Sequence, residues 1–261
     1  MYIIVINEFM NTLQLSRIYL SAILLFTTLS FSLSAYADEQ KSADRQCVVL
    51  LHGLARTSHS MEKMEQEILR QGFVTANIDY PSRTMKIEQL AELAVSAGVE
   101  SCRSQNAHVV HFVSHSLGGI LVRYYLSQNE LPELGKVVML APPNQGSLIA
   151  DTFRNEQWFK WLTGPAGQQL GTDKHGIPGL LSAVDYPTGV IAGNDHNPVD
   201  NWMAEIIPGE DDGKVAVESA KLDGMADFIV LPSSHITIMK DDAVIEQSIY
   251  FLQRGHFSHG P

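Results

Sequence analysis

Apolar residues in this chain fall into short runs, and segments with helical spacing separate the runs. Residues 47–51 (CVVLL) are β-branched and continuous, which predicts a strand buried on both faces, ending in His52-Gly53. Residues 60–71 carry Met61, Met64, Ile68 and Leu69 at helical spacing and stop at Gly72. A strand is expected over 73–78, closed by Asp79-Tyr80-Pro81. An amphipathic helix follows over 87–99, with Ile87, Leu90, Leu93, Ala94 and Ala97 on one face. The same alternation predicts strands over 107–113, 136–140, 188–192 and 228–231, and helices over 117–128 and 243–252. Strands alternating with helices imply an α/β fold: a mainly parallel sheet with helices on both faces.

Two segments break that rhythm. Residues 18–34 are uncharged and apolar or hydroxylic, preceded by Arg17 and followed by Ala35-Tyr36-Ala37 and the polar 38–40. A positive flank, a short apolar run and small residues one apart describe a secretory signal peptide over 1–37, with 38–261 as the mature domain. An uncleaved N-terminal anchor is the competing reading, because the run approaches a membrane-spanning length. The expected location is therefore periplasmic or secreted. The other interruption, 144–187, is too long for a simple crossover. It holds Phe153, Trp158, Phe159 and Trp161 and a Gly/Pro-rich stretch over 164–179. A lid-like insert over the site and a satellite hydrophobic cluster both suit it.

Composition narrows the choice of function. The 261 residues are 45% hydrophobic and 18% charged, as in ordinary globular chains. Lys and Arg number 18 against 29 Asp and Glu, a net charge of -11, which argues against nucleic-acid binding. That charge also opposes anionic lipid, while leaving room for transient membrane-surface contact through an apolar patch. The two cysteines, Cys47 and Cys102, lack zinc spacing, and no metal or cofactor fingerprint is present. In an exported chain they can form a disulfide, if the strands at 47–51 and 107–113 are neighbours; two buried thiols are the alternative.

The chemistry concentrates at Ser114-His115-Ser116-Leu117-Gly118-Gly119, between an apolar strand and an apolar helix. A sharp strand–turn–helix junction lifts a serine hydroxyl clear of the sheet, provided small residues flank it two positions away. Ser116 has Ser114 and Gly118 in those places; Ser114 stands where glycine is usual. A serine needs a histidine base and an acid to orient it, in the chain order Ser, Asp or Glu, His. His235 follows the 228–231 strand in a short loop, whereas His175, His196, His256 and His259 read as exposed histidines. Asp212, on the turn Asp212-Gly213-Lys214-Val215, is the first choice of acid. Asp195 and Asp211 are its rivals, with Asp200 and Glu210 also in range. The Asp211-Asp212 pair lacks calcium-ligand spacing. Backbone N–H groups of Leu54 and Leu117 are the candidate oxyanion donors.

Val49-Leu50-Leu51-His52-Gly53-Leu54, the serine turn, Leu140-Ala141-Pro142-Pro143-Asn144-Gln145-Gly146-Ser147, Asp212-Gly213-Lys214-Val215 and Ser234-His235 together resemble the bacterial α/β-hydrolase superfamily of lipases and esterases. The resemblance covers about 48–252. It implies Ser116 as nucleophile, Asp212 as acid, His235 as base, Leu54 and Leu117 as oxyanion donors, and no cofactor. The activity it implies is hydrolysis of a small-molecule or lipid carboxylic ester. Acyl transfer or amide cleavage with the same residues, and a non-catalytic binding module on the same scaffold, are the alternatives. Neither the acyl chain length nor the oligomeric state is legible in the sequence.

Overall fold

The computed structural model describes residues 45–260 except 175, 199 and 200. The leader at 1–37, His175 and Asp200 lie outside the described residues. Six strands form one sheet: β1 (Gln46–Leu51), β2 (Val74–Ile78), β3 (Val109–His115), β4 (Leu134–Leu140), β5 (Thr188–Gly193) and β6 (Asp227–Leu231). Their order is β2-β1-β3-β4-β5-β6, and every neighbouring pair is parallel.

Alternation along each strand divides the core in two. Val49, Leu51, Phe112 and Met139 face one side with helices α2 (Ile87–Ser104) and α3 (Leu117–Gln128). Val48, Leu50, Val113 and Val138 face the other with α1 (Glu62–Arg70) and the last helix, Asp242–Arg254. Both faces are covered, so the strands read as continuous apolar runs rather than alternating ones.

The expected elements form, with shifted limits. The helix expected to end at 99 continues to Ser104, because Val99 and Cys102 extend its buried stripe. Cys102 therefore lies on that helix, just before β3, and β1 and β3 are neighbours as the pairing requires. It is bonded to Cys47 of β1, with the Cα atoms 5.6 Å apart. The bridge closes a separation of 55 residues, which by loop-closure entropy stabilises the fold by about 4 kcal/mol.

Between β4 and β5 the chain forms α4 (Leu148–Phe153), α5 (Gln157–Gln168) and α6 (Ile177–Leu180). Two short helices follow, α7 (Asn201–Ala204) and α8 (Val217–Ala220), before β6, and α9 (Asp242–Arg254) closes the described chain. Among the described residues, no helix is long and apolar enough to cross a membrane.

Candidate active site

The carboxyl ends of β1, β3, β5 and β6 meet at one edge of the sheet, where ligands of open parallel sheets bind. Ser116 stands between β3 and α3 at φ 52°, ψ −118°, a backbone conformation costly for a residue with a side chain. Its N–H donates to Leu140 O at 2.8 Å, and its carbonyl accepts from Gly119 N–H at 3.0 Å. Those bonds hold the strained residue in place. A Cβ on Gly118 would come within 2.8 Å of Leu51 O and 3.0 Å of His52 O, so only glycine lets α3 start this close to β1. Position 114 imposes no such demand. Ser114 is not among the positive-φ residues, and its hydroxyl donates to Val138 O at 3.3 Å.

Asp212 is fully buried on the turn before α8. Its Oδ1 accepts from the N–H groups of Lys214 (3.0 Å) and Val215 (2.8 Å), which leaves Oδ2 aimed at His235 Nδ1, 2.7 Å away. His235 N–H also donates to Asp212 O at 2.8 Å, so backbone and ring are tied to the same residue. A carboxylate only accepts, so Nδ1 carries the ring proton and Nε2 is the bare acceptor. Ser116 Oγ lies 3.1 Å from that Nε2.

The structure thus brings Ser116, His235 and Asp212 into one hydrogen-bonded line and leaves the rival acids out of it. Asp195 is exposed and accepts from His196 N–H. Asp211 is buried behind the turn, accepting from Gly213 N–H at 2.7 Å and facing His196 Nε2 at 3.1 Å. Glu210 is exposed. His259 pairs with Asp227, and the His256 ring packs against Tyr250.

Leu117 is the first residue of α3, so its N–H belongs to the helix-start donors that have no partner within the helix. Leu54 reaches the site through its peptide. The Gly53 carbonyl is held by His52 Nδ1 at 2.8 Å, and in a trans peptide the Leu54 N–H points the opposite way. Tyr80 N–H donates to His52 Nε2 at 3.3 Å, which fixes the Nδ1–H tautomer. Burial lowers the pKa of His52 and keeps the ring neutral. The supporting role of His52 was not legible in the sequence; a strand-ending His-Gly carries no sign of which nitrogen bonds where.

Ser116 and His235 open into a cavity of about 140 Å³. Ile149 and Ala150 of α4, and Trp158, Phe159, Leu162 and Gly167 of α5, line much of it. The segment after β4 therefore walls the site. Phe153, Trp158, Phe159 and Trp202 also pack edge-on or tilted against one another, so the wall is a hydrophobic cluster as well. Arg56 and Lys214 are the charged side chains at the cavity.

No protein-family model matches the sequence, and no curated protein matches it. Solved structures do. The mature Bacillus licheniformis lipase BlEst2 superposes with TM-score 0.62 at 21% identity, over 80% of this chain and 92% of that one. Phospholipase PlaB from Legionella pneumophila gives TM-score 0.62 at 17% identity, over 81% and 59%. Aspergillus fumigatus lipase B gives 0.57 at 15%, over 80% and 53%. The chain has the α/β-hydrolase fold. Within that α/β-hydrolase fold the line Asp212–His235–Ser116 occupies the carboxyl edge of the sheet. Such a line can raise the nucleophilicity of a serine hydroxyl.

Proposed function

We propose that this protein is a serine hydrolase of carboxylic esters. The observation that carries the reading is the hydrogen-bonded line from Asp212 Oδ2 through His235 to Ser116 Oγ, at the floor of an apolar cavity. Ser116 Oγ attacks the ester carbonyl as its proton passes to His235 Nε2. The resulting oxyanion is held by the N–H groups of Leu54 and Leu117, each such donor being worth about 100- to 1,000-fold in rate. His235 then gives its proton to the departing alcohol, leaving an acyl group on Ser116. Water, deprotonated by the same nitrogen, releases the acid. Asp212 holds the ring in the Nδ1–H tautomer and stabilises the imidazolium that forms.

The walls supplied by Ile149, Phe159 and Leu162 favour an apolar acyl chain. The lipases and the phospholipase that share the fold support a lipid-like ester. An exported location accords with the Cys47–Cys102 bridge, a pairing that persists outside the reducing cytosol.

The test is hydrolysis of nitrophenyl esters of graded acyl length by the chain from Asp38, compared with Ser116→Ala. Loss of activity in the variant, with unchanged circular dichroism, is the expected result. Equal rates in both proteins would remove Ser116 from the chemistry.

A further inference from the structure

His115 lies between the two serines of the turn, and the mechanism above does not use it. His115 is 1% exposed, at the inner side of the cavity lining. Nε2 lies 3.0 Å from the carbonyl oxygen of His235. A carbonyl only accepts, so Nε2 carries the proton and Nδ1 is bare. Among the described residues, that Nδ1 is buried with no hydrogen-bond partner. The ring fills the space beneath the oxyanion turn: a Cβ on Gly53 would sit 2.5 Å from Nδ1. Burial, reinforced by the neighbouring His235, holds the pKa of His115 well below the ordinary histidine value. The neutral ring therefore persists when His235 becomes charged.

A buried acceptor with no partner works against stability, and an apolar side chain of similar size would avoid that cost. What the imidazole supplies in return is one bond, and that bond reaches the base. We propose that His115 is a positioning residue for His235, its Nε2–H holding the His235 backbone carbonyl so that the base ring stays directed at Ser116. His235 is then gripped on each side. Its N–H and Nδ1–H bond to Asp212, its carbonyl bonds to His115, and its Nε2 faces Ser116, the next residue in the chain after His115. Arg56 extends the same brace, its Nη2 donating to Ile236 O at 3.0 Å from the oxyanion turn. The proposal rests on the acyl-transfer reading of this site.

Two variants test it. His115→Met removes the donor and the orphaned acceptor together. His115→Gln places an amide N–H near the position of Nε2. For each we would measure kcat and KM on a nitrophenyl ester, the rate at which a fluorophosphonate labels Ser116, and the urea midpoint. The Met variant is expected to lose about tenfold or more in kcat and in labelling rate, with KM little changed, because a base misdirected by a fraction of an ångström still leaves binding intact. Its urea midpoint should stay near that of the parent, because one buried acceptor without a partner, His115 Nδ1, is removed while another, the His235 carbonyl, is created. The Gln variant should recover most of the lost rate. A Met variant with parental kcat and labelling, or a Gln variant as slow as Met, would each overturn the positioning role. A parent protein whose Ser116 takes no phosphonate would overturn the acyl-transfer reading, and this proposal with it.

Discussion

His111 sits in β3 with both ring nitrogens engaged: Lys136 N–H donates to Nδ1 at 2.8 Å, and Nε2 bonds Gln46 Oε1 at 2.9 Å. Only the neutral ring can accept at Nδ1, so a proton there would break the bond to β4. Burial, and then the charge of Lys136, pushes its pKa from 6.5 down to about 4. As the pH falls from 6.5 towards 4, the unfolded chain takes up a proton that the folded chain refuses. Stability is therefore fully present above that window and declines through it, by about 3 kcal/mol at the bottom. Urea midpoints taken across the window should fall with pH, and His111→Gln should flatten the slope. An unchanged slope in the variant would show that His111 does not titrate this way. Ser116, Asp212 and His235 were legible in the sequence because spacing, chain order and turn residues constrain them jointly. His52, His111 and His115 were not. A lone histidine in or beside an apolar run looks alike whether it orients a peptide, joins two strands or braces a base, and only the bond made by each nitrogen separates these roles.

At the scale of elements, strands and helices followed from periodicity because burial on two faces leaves an unbroken apolar signature, and α3 matches its expected limits. The walls of the site were harder. Residues 164–179 read as a Gly/Pro-rich break, yet α5 passes through Gly164 and Pro165, bent where Gly164 adopts φ 60°, ψ −164°. Proline suits the first turn of the second half, so the pair that looks like a breaker is a kink between two helical pieces. The kink lies against the loop after β2, because a Cβ on Gly164 would be 1.8 Å from Arg83 O. Gly164→Ala should then cost about 2–4 kcal/mol, through the forbidden backbone region and the displaced contact. Leu162, Thr163 and Gly167 on either side of the kink line the cavity, so KM for long-chain esters should rise more than that for short-chain ones. Thermal unfolding and a chain-length series check both effects; a variant with parental Tm would show that the kink relaxes freely.

Over the whole molecule, charge and exposed apolar surface oppose each other. The chain carries a net charge of -11, yet Trp161 is 78% exposed and Trp202 49%. Each adjoins a residue that lines the cavity, Leu162 and Met203. Trp158 and Leu162, themselves part of the lining, are also partly exposed. Tryptophan combines a large apolar ring with a polar N–H and is suited to the boundary between water and lipid. Beside the cavity that Ser116 and His235 open into, these side chains add exposed apolar surface, which is suited to contact with another apolar phase. A transient lipid contact there would be carried by apolar burial and opposed by like charge on anionic membranes. Replacing Trp161 and Trp202 together by Ser should lower binding to zwitterionic vesicles by about tenfold or more, given roughly 2 kcal/mol for each ring taken out of water. Hydrolysis of a monomeric short-chain ester should change little in Trp161→Ser alone, since that ring neither lines the cavity nor packs in the aromatic wall. The parent should bind zwitterionic vesicles more tightly than anionic ones at low salt, and the difference should shrink as salt screens the net charge. Equal vesicle binding by parent and double variant would assign these tryptophans to packing with Phe153 and Arg83, the neighbours they touch within the chain.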